Sequence, residues 1–450
     1  MHQPTAPQRS RARRARAALV AVALIGGCKT IERPVTPPPT DGDRILRDIA
    51  YLADDRLEGR GTGTAGNDSA AAWLARRHAE LGLTAIVADT LAPACRTAPV
   101  PTGCAGYLQR FIARGAELAH SGHPEGLPTQ NVVAVVPGRD SALAKEYVVI
   151  GAHFDHLGRS AASALDPGAR DAIRNGADDN ASGTAALLEL ARSFAAHPTR
   201  RSIVIAHFSG EELGLLGSQW FVEHSPVPVG SIDAMVNFDM VGRLRDDKLI
   251  IYGVGTANEL PALLDSANVD PKLKLNEVKD GFGPSDHSSF YAKGIPVLHF
   301  FTDLHDDYHR ATDDVEKINA PGEARVVALA ERVVRSIADR PARLAVVRAA
   351  GPATSPRREG SNVYLGTIPD MSAGDVPGLK LTGVRAGSPA DKGGLKEGDI
   401  VIALGGREVK DLYTYSDALY AHQPGEEVEI AFLRGGTRQT TRVTLGSRSQ

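Results

Sequence analysis

Short apolar runs rich in β-branched residues alternate with longer stretches of helical periodicity through the middle of the chain. The apolar runs, each predicted to form a strand, lie at 131–136, 147–151, 202–208, 234–238, 249–254 and 295–300. The helical patterns lie at 67–83, 183–195, 213–224 and 323–340. Strands that alternate with helices are typical of a parallel sheet on which helices pack. The pattern therefore predicts an α/β fold, in which a mostly parallel mixed sheet is covered by helices on both faces.

The last part of the chain has a different composition. Residues 348–360 contain two Pro, two Gly and no apolar periodicity, which is typical of a linker. From 361 to 448 the chain has short strand-like runs, many Gly residues and few helical patterns. We therefore expect a large domain at 44–347 and a small, mainly-β domain at 361–448, which suits a chain of 450 residues.

The N-terminus has the features of an export signal. Five Arg residues between positions 9 and 16 precede an apolar run at 17–27, which is too short to span a bilayer permanently. The run ends at Ile25-Gly26-Gly27-Cys28, which resembles the lipobox of bacterial lipoproteins. We therefore expect a signal peptide at 1–27, a lipid on Cys28 and a Pro-rich tether at 28–43. The alternative is a buried hydrophobic helix with an incidental Cys.

The other cysteines and the charge agree with export. Cys95 and Cys104 lie in a Pro-rich loop and could form a disulfide in an oxidising compartment, although two free thiols are the alternative. By resemblance to Gram-negative lipoproteins, Lys29 after the lipidated Cys favours the periplasmic face of the outer membrane. Removing 1–27 takes away five Arg and no acidic residue, which changes the formal charge from −3 to −8. With no excess of basic residues, nucleic acid is not an expected partner.

Side chains that can bind metals follow several of the predicted strands. They are His153 and Asp155 after the first central strand, Asp178 and Asp179 in an acidic turn, Glu211 and Glu212, Asp239, and His309. The carboxyl ends of strands in such sheets form binding sites, and two imidazoles with three carboxylates suit two adjacent Zn²⁺ ions. Each residue alone also has a structural explanation. Adjacent Glu residues commonly start helices, and Asp178-Asp179-Asn180 could be only an N-cap.

The motifs GxHxDH, GADDNASG, GEELGLLGS, NFDM and YHRATDD occur in this order. The order is similar to that of the co-catalytic zinc aminopeptidases, whose relatives include bacterial leucyl aminopeptidases and glutamate carboxypeptidase. The resemblance covers about 45–347 and implies two zinc ions per chain. It implies that His153 and Asp239 bind one ion, that Glu212 and His309 bind the other, and that Asp179 bridges them. It also implies a cis peptide bond after Asp179.

The same resemblance implies catalytic roles. Glu211 matches the general base, which takes a proton from water and later gives it to the leaving amine. Asp155 matches the residue that orients His153. Tyr308, which precedes the last ligand, matches a Tyr that stabilises the transition state in some relatives.

The resemblance predicts a zinc aminopeptidase that hydrolyses N-terminal residues from peptides. Alternatives are a dipeptidase or carboxypeptidase on the same scaffold, a glutaminyl-cyclase-like acyltransferase with one zinc, and a non-catalytic peptide-binding receptor. The five ligands together with Glu211 favour the aminopeptidase. The segment Ser285-Asp286-His287 resembles a motif beside the pocket in this family. Phe282, Phe290 and Phe301 are candidate pocket walls that are equally suited to the core.

The segment Val363-Tyr364-Leu365-Gly366 resembles the carboxylate-binding loop of PDZ domains, in the circularly permuted form found on exported bacterial proteases. The resemblance implies that the backbone of Tyr364, Leu365 and Gly366 receives the C-terminus of a peptide, which adds as a strand to the edge of the sheet. A domain that only packs on the catalytic domain is the alternative.

Overall fold

The structure, a computed structural model, describes most of the chain between residues 40 and 447. The described residues are 1–2, 40–88, 105–114, 118, 123, 125–160, 164–166, 168–169, 171–269, 272–347, 363–369, 376–385, 387–410, 414–415, 418–419 and 421–447. Several predicted features lie outside them: nearly all of the signal peptide, Cys28 with most of the tether, Cys95 with Cys104, and the linker at 348–360. These features stay predictions.

Helices and strands alternate in the first part of the chain, and strands predominate after residue 363. The helices of the described residues are α1 Gly42–Leu52, α2 Ala65–Glu80, α3 Gly183–Ala196, α4 Leu216–Glu223, α5 Leu260–Ala267, α6 His287–Tyr291, α7 Ala320–Ala338 and α8 Pro389–Lys392. The strands are β1 Thr84–Ala85, β2 Val87–Ala88, β3 Ala105–Gly106, β4 Leu108–Ala113, β5 Leu127–Val136, β6 Tyr147–His153, β7 Ser202–Phe208, β8 Ile232–Phe238, β9 Lys248–Tyr252, β10 Lys274–Val278, β11 Val297–Phe301, β12 Val363–Tyr364, β13 Thr367–Pro369, β14 Leu379–Val384, β15 Ile400–Leu404, β16 Arg407–Glu408, β17 Glu427–Arg434, β18 Thr437–Thr444 and β19 Gly446–Ser447.

Nine strands of the described residues form one mixed sheet, in the order β1-β5-β7-β6-β8-β11-β9-β10, with β4 also paired to β5. β6 is parallel to both β7 and β8, and β8 is parallel to β11, so the centre of the sheet is parallel. Antiparallel pairs join β5 to β7 and β9 to β11. The predicted mixed α/β sheet is confirmed, and antiparallel pairing extends further into it than the sequence pattern indicates.

Helices cover both faces of the sheet. Successive residues of the central strands point to opposite faces, so each strand contributes to the core on both sides. Val148 and Ile150 of β6 belong to the core under α1, α3 and α7. Val149 packs on the other face, with Phe221 of α4 and Phe290 of α6. All five side chains are fully buried. A sheet covered on both faces needs apolar residues at nearly every position of its central strands, which explains the continuous apolar runs in the sequence.

The bounds of some helices and strands follow from the local sequence pattern, and those of others do not. The strand predicted at 202–208 has those bounds in the structure, as β7. The helix predicted at 213–224 begins later, at Leu216, because Gly214 and Leu215 adopt left-handed backbone conformations with φ of 106° and 63°. The sequence does not predict β10, an edge strand on which polar residues such as Glu277 are exposed.

The described residues after 363 have a hydrophobic core of their own. β13, β14, β15, β17 and β18 pair in sequence, with β16 beside β15. Leu381, Val401 and Ile430 lie fully buried between them. This confirms the small, mainly-β character of the C-terminal part. Among the helices that the structure describes, none is long and apolar enough to cross a membrane.

Candidate metal centre

Three central strands deliver polar residues to one edge of the sheet. β6 ends at His153, β7 ends three residues before Glu211, and β8 ends one residue before Asp239. Because the three strands run parallel and are neighbours, their carboxyl ends lie together. His309 follows β11, which is the next strand along.

The five predicted ligands meet at this edge. His153 Nε2 lies 3.4 Å from Asp179 Oδ1 and 3.4 Å from Asp239 Oδ1. His309 Nε2 lies 3.2 Å from Asp179 Oδ2 and 3.2 Å from Glu212 Oε2. Asp179 therefore presents one carboxylate oxygen to each histidine, as a residue shared between two metal ions would.

These distances fit zinc. Two ligand atoms bound tetrahedrally at zinc–ligand distances of 2.0–2.2 Å are separated by about 3.3–3.6 Å, close to the separations around His153 and His309. Asp239 Oδ1 is buried and has no hydrogen-bond partner among the described residues, so an electropositive partner would satisfy it. Imidazole nitrogens and carboxylate oxygens are also the donor types that zinc takes in catalytic sites.

Glu211 lies close enough to the ligands to be considered with them. One potential donor atom from each of His153, Glu211 and Asp239 lies within 4.8 Å of the others, and the same holds for His153, Asp179 and Glu212. Distance alone therefore does not separate the predicted base Glu211 from the ligands. Its chemical surroundings do separate it from Glu212.

The two adjacent glutamates have opposite electrostatic surroundings. Burial raises the pKa of the Glu211 carboxyl well above its usual range, and the nearby Glu212 and Asp239 raise it further. Burial acts in the same direction on Glu212, but His309 and His156 overcome it and hold the pKa of Glu212 well below its usual range. Glu212 is thus the better permanent anion, and Glu211 is the better proton acceptor and donor.

Asp179 lies in the turn Ala177–Ser182, which leads directly into α3. The peptide bond between Asp179 and Asn180 is cis, as the family resemblance implies. The Asn180 side chain joins this turn to the end of β8, since its Nδ2 donates to Phe238 O at 2.9 Å and its Oδ1 accepts from Met240 N at 3.2 Å. The turn that carries Asp179 is therefore held to the end of β8, next to Asp239.

Asp155 is fully buried beside His153. The His153 ring contacts the main-chain oxygen of Asp155 more closely than its carboxylate. His153 Nδ1 lies 3.1 Å from the main-chain oxygen of Asp155 and 3.8 Å from its carboxylate. The carboxylate instead accepts hydrogen bonds from Thr62 Oγ1 at 2.8 Å and from the main-chain N–H of Glu211 at 3.3 Å. Asp155 thus orients His153 through its carbonyl and fixes the backbone of Glu211 through its side chain.

Tyr308 lies beside the ligands. Its ring stacks on that of His309, with centroids 3.9 Å apart, and packs against a small apolar cluster that contains Met240 and Phe301. Burial and nearby carboxylates raise the pKa of Tyr308 well above its usual value, so it stays a neutral hydrogen-bond donor. Its role in stabilising the transition state stays a prediction.

The candidate pocket walls differ in burial. Phe290 is fully buried in the core, whereas Phe282 is half-buried and packs edge-on against Tyr291.

Ser285 lies near Asp239, where its hydroxyl accepts a hydrogen bond from Asn237 Nδ2 at 2.9 Å.

Arg60 and His156, to which the sequence pattern assigns no role, both support the centre. His156 Nδ1 lies 2.7 Å from Glu212 Oε1. Arg60 is fully buried and donates hydrogen bonds to four main-chain oxygens, of Leu52, Phe154, Asn175 and Gly176. The neighbouring Gly59 lies against the same loop, where a Cβ would be 2.1 Å from Arg174 O.

The chain is similar to known families in both parts. Residues 131–334 match the family model of Peptidase family M28, and residues 359–445 match that of PDZ domains. Leucine aminopeptidase 1 of Arthroderma otae is 30% identical over 48% of this chain and 58% of its own length. Aminopeptidase YwaD of Bacillus subtilis is 32% identical over 32% of this chain and 34% of its own length. The chain spans about half the length, or less, of most of the curated relatives that it matches.

Solved structures share the fold. BSAP, a zinc aminopeptidase from Bacillus subtilis, has a TM-score of 0.51 and 18% identity, and the match covers 67% of this chain and 96% of BSAP. A leucine aminopeptidase precursor from Bacteroides thetaiotaomicron has a TM-score of 0.53 and 17% identity, with 67% and 99% covered. At this identity the likeness shows the fold alone.

Proposed function

We propose that this chain, which carries a domain of Peptidase family M28 followed by a PDZ domain, is a zinc-dependent aminopeptidase. The observation that carries the proposal is the position of Asp179, whose two oxygens face His153 and His309 separately. A carboxylate shared in this way, with one further acidic residue on each side, suits a pair of metal ions better than a single one. The names of the M28 relatives, which are leucine aminopeptidases, support the same activity.

The ligand set would divide between two zinc ions. His153 and Asp239 would hold one ion, His309 and Glu212 would hold the other, and Asp179 would bridge them. When bound, zinc polarises the scissile carbonyl and makes a water molecule more acidic.

Glu211 moves the proton. Its carboxylate takes a proton from the attacking water, whose oxygen bonds to the carbonyl carbon, and returns it to the nitrogen as the C–N bond breaks. The products are a free amino acid and a peptide shortened by one residue. Asp155 holds the Glu211 backbone in place through the 3.3 Å hydrogen bond, which keeps the base in one position during both proton transfers.

The excess of acidic groups explains the preference for a free N-terminus. Glu211 and Asp239 are incompletely buried at this edge of the sheet, together with the more deeply placed Asp179. A protonated α-amine is attracted to such a group of carboxylates, whereas an acetylated N-terminus carries no charge to attract. A dipeptidase or carboxypeptidase would need a cation for the substrate carboxylate instead. Arg243, a cation four residues after Asp239, is already paired with Asp307 at 2.9 Å.

A substrate panel tests this proposal. Purified protein is incubated with aminoacyl-anilides and short peptides, each also in N-acetylated form, with and without a zinc chelator. We expect release of the N-terminal residue from free substrates only, with loss of activity on chelation and recovery with zinc. Release of C-terminal residues would support a carboxypeptidase. Cyclisation of N-terminal Gln would support the acyltransferase, and binding without turnover would support the receptor.

We propose that the PDZ domain binds a peptide C-terminus at Tyr364, Leu365 and Gly366. The loop is fixed by two main-chain hydrogen bonds, in which the oxygens of Leu365 and Gly366 accept from Ala390 N and Arg385 N, respectively. Gly366 has a φ of 86°, and a Cβ there would lie 2.2 Å from Ser388 Cβ. A larger residue would therefore distort the loop.

Labelled peptides with free and amidated C-termini test this site. We expect binding of the free form only, and loss of binding in Gly366→Val. Gly436→Val is the matched control, because Gly436 has a similar φ of 79° but nothing within 4 Å of its Cβ position. Equal binding of both peptide forms would contradict recognition of the free carboxylate, and binding of neither form would favour a domain that only packs on the catalytic domain.

We propose further that the chain is exported and lipidated at Cys28, at the periplasmic face of the outer membrane. The support is the sequence order of basic run, apolar run and lipobox-like Cys. Fatty-acid labelling in a Gram-negative host should mark the wild type and Cys95→Ser but not Cys28→Ser.

We also propose a disulfide between Cys95 and Cys104. Free thiols are counted in the unfolded, unreduced protein, and the disulfide predicts that neither Cys95 nor Cys104 carries one.

A further inference from the structure

The turn that carries Asp179 begins at a helix end without a local side-chain cap. Ala177–Ser182 and α3 follow one another without a break, so the first N–H groups of the turn have no partner within the helix. The N-cap residue is Gly176, which makes no side-chain hydrogen bond to them. The cap predicted within 178–180 is present, since Asn180 Oδ1 accepts from Gly183 N at 2.9 Å at the start of α3, but it leaves the earlier N–H groups of the turn without a local partner.

Asp313 supplies the missing cap from a distant part of the chain. Its Oδ2 accepts hydrogen bonds from the main-chain N–H groups of both Asp178 and Asp179, each at 3.0 Å. Its main-chain oxygen accepts from Ala177 N, also at 3.0 Å. The Asp313 side chain is fully buried, so water does not compete for these N–H groups.

The position of Asp313 in the chain connects two ligands. It lies four residues after His309, in a turn that is closed by a hydrogen bond from Asp313 N to Arg310 O at 3.2 Å. His309 itself has a left-handed backbone with φ of 54°, which is unfavourable for a residue other than Gly or Asn. The turn that places Asp313 against the Asp179 turn therefore begins directly after His309 in the chain.

Among the described residues, Arg243 is the one cation that lies within 4.0 Å of the Asp313 carboxylate, whereas Arg60 and two neighbouring histidines act on its charge from farther away. Arg243 Nη1 lies 3.9 Å from Asp313 Oδ1, which is beyond hydrogen-bond distance. Arg243 donates to Asp307 instead, at 2.9 Å. The main partners of the Asp313 carboxylate are thus the two N–H groups of the Asp179 turn.

We propose that Asp313 is a positioning residue, which fixes the bridging ligand Asp179 relative to His309 by capping the turn that carries it. The proposal rests on the proposed function, because it assumes that these residues bind zinc. Residues that hold metal ligands in place typically contribute 10–100-fold to metal affinity. Loss of the Asp313 cap should weaken zinc binding without removing any ligand.

Zinc affinity in the purified full chain tests the proposal, measured by competition with a chromogenic chelator. Asp313→Ala and Asp313→Leu remove the acceptor, and Leu also keeps the branched shape and the number of heavy atoms of the side chain. Asp313→Asn keeps an oxygen that can accept both N–H groups. The matched control is Asp233→Ala, because Asp233 is a buried aspartate at the other end of β8 that accepts from Leu344 N at 2.9 Å. Thermal unfolding of the metal-free variants is recorded in parallel.

We expect Asp313→Ala and Asp313→Leu to bind zinc at least about tenfold more weakly. The zinc affinity of Asp313→Asn should stay within threefold of that of the wild type. The same is expected of Asp233→Ala, although its thermal stability should fall about as much as that of Asp313→Ala. The proposal is overturned if Asp313→Leu binds zinc as tightly as the wild type, or if Asp233→Ala loses affinity to the same extent. If the wild type binds no zinc, the proposed function fails rather than the role of Asp313. If Asp313→Ala does not fold, Asp313→Leu and Asp313→Asn decide.

Discussion

His156 and Glu212 lie 2.7 Å apart, between the imidazole Nδ1 and the carboxylate Oε1. The other oxygen of Glu212 faces His309 at 3.2 Å. The two oxygens of Glu212 therefore have different partners: one faces a candidate zinc ligand and the other is held by a buried imidazole. A ligand carboxylate fixed in this way cannot rotate freely, and the restriction favours metal binding.

Replacing His156 with Phe should weaken zinc binding by about 10–100-fold, because Glu212 loses the group that orients it. Zinc competition on the purified variant measures the change. His78→Phe is a suitable control, since His78 is also fully buried but stacks on His207, away from the ligands. Equal affinities in His156→Phe and His78→Phe would show that Glu212 needs no orientation by His156.

The ligands at strand ends could be located from the sequence pattern, whereas the complete set, which includes Asp179 in the turn before α3, rests on the family resemblance. Strand ends are visible as the point where an apolar run meets a polar residue, as at His153 and Asp239. Parallel order then places such residues at one edge. The sheet could be predicted because its central strands are visible as apolar runs in the sequence.

The supporting residues could not be predicted, because they act across loops. Arg60 contacts oxygens of residues 94 and 115 positions away along the chain, and Asp313 caps a turn 134 positions away. No local periodicity encodes these contacts. The edge strand β10 could not be predicted for a related reason, since its exposed polar residues form no apolar run.

Arg60→Ala should lower the free energy of unfolding by roughly 3 kcal/mol or more, because four buried main-chain oxygens lose their donor. Thermal or denaturant unfolding of the metal-free protein measures it. Arg56→Ala is the matched control on the same segment. Its side chain is 78% exposed and pairs with Asp54, so its loss should cost at most about 1 kcal/mol. Similar costs for the two substitutions would mean that water replaces Arg60 at the four oxygens.

The stacked pair His78 and His207 should make the fold sensitive to acid. Burial lowers the pKa of His78 to about 3 and that of His207 well below its usual value, so both stay neutral when folded. In the unfolded chain each takes up a proton near pH 6.5. Below that pH the unfolded state binds more protons, so the free energy of unfolding falls as pH decreases, by up to ~1.4 kcal/mol per pH unit for each histidine.

Denaturant unfolding of the metal-free protein between pH 7.5 and pH 5 tests this. The double variant His78→Leu with His207→Leu should lose less stability than the wild type across this interval. His224→Gln, at an exposed position, should follow the wild type. Parallel curves for the wild type and the double variant would place the acid sensitivity elsewhere.

In the proposed function, Glu211 moves the proton and Glu212 holds the metal. The most direct measurement compares the wild type with Glu211→Gln in two assays on the same preparation, zinc content per chain and release of the N-terminal residue from an unblocked peptide. We predict that both proteins retain about two zinc ions and that the variant loses at least about 100-fold in kcat. If Glu211→Gln loses zinc together with activity, Glu211 is a ligand, as its grouping with His153 and Asp239 would allow. If it keeps both zinc and activity, Glu211 is not the base, and a different group accepts the proton of the attacking water.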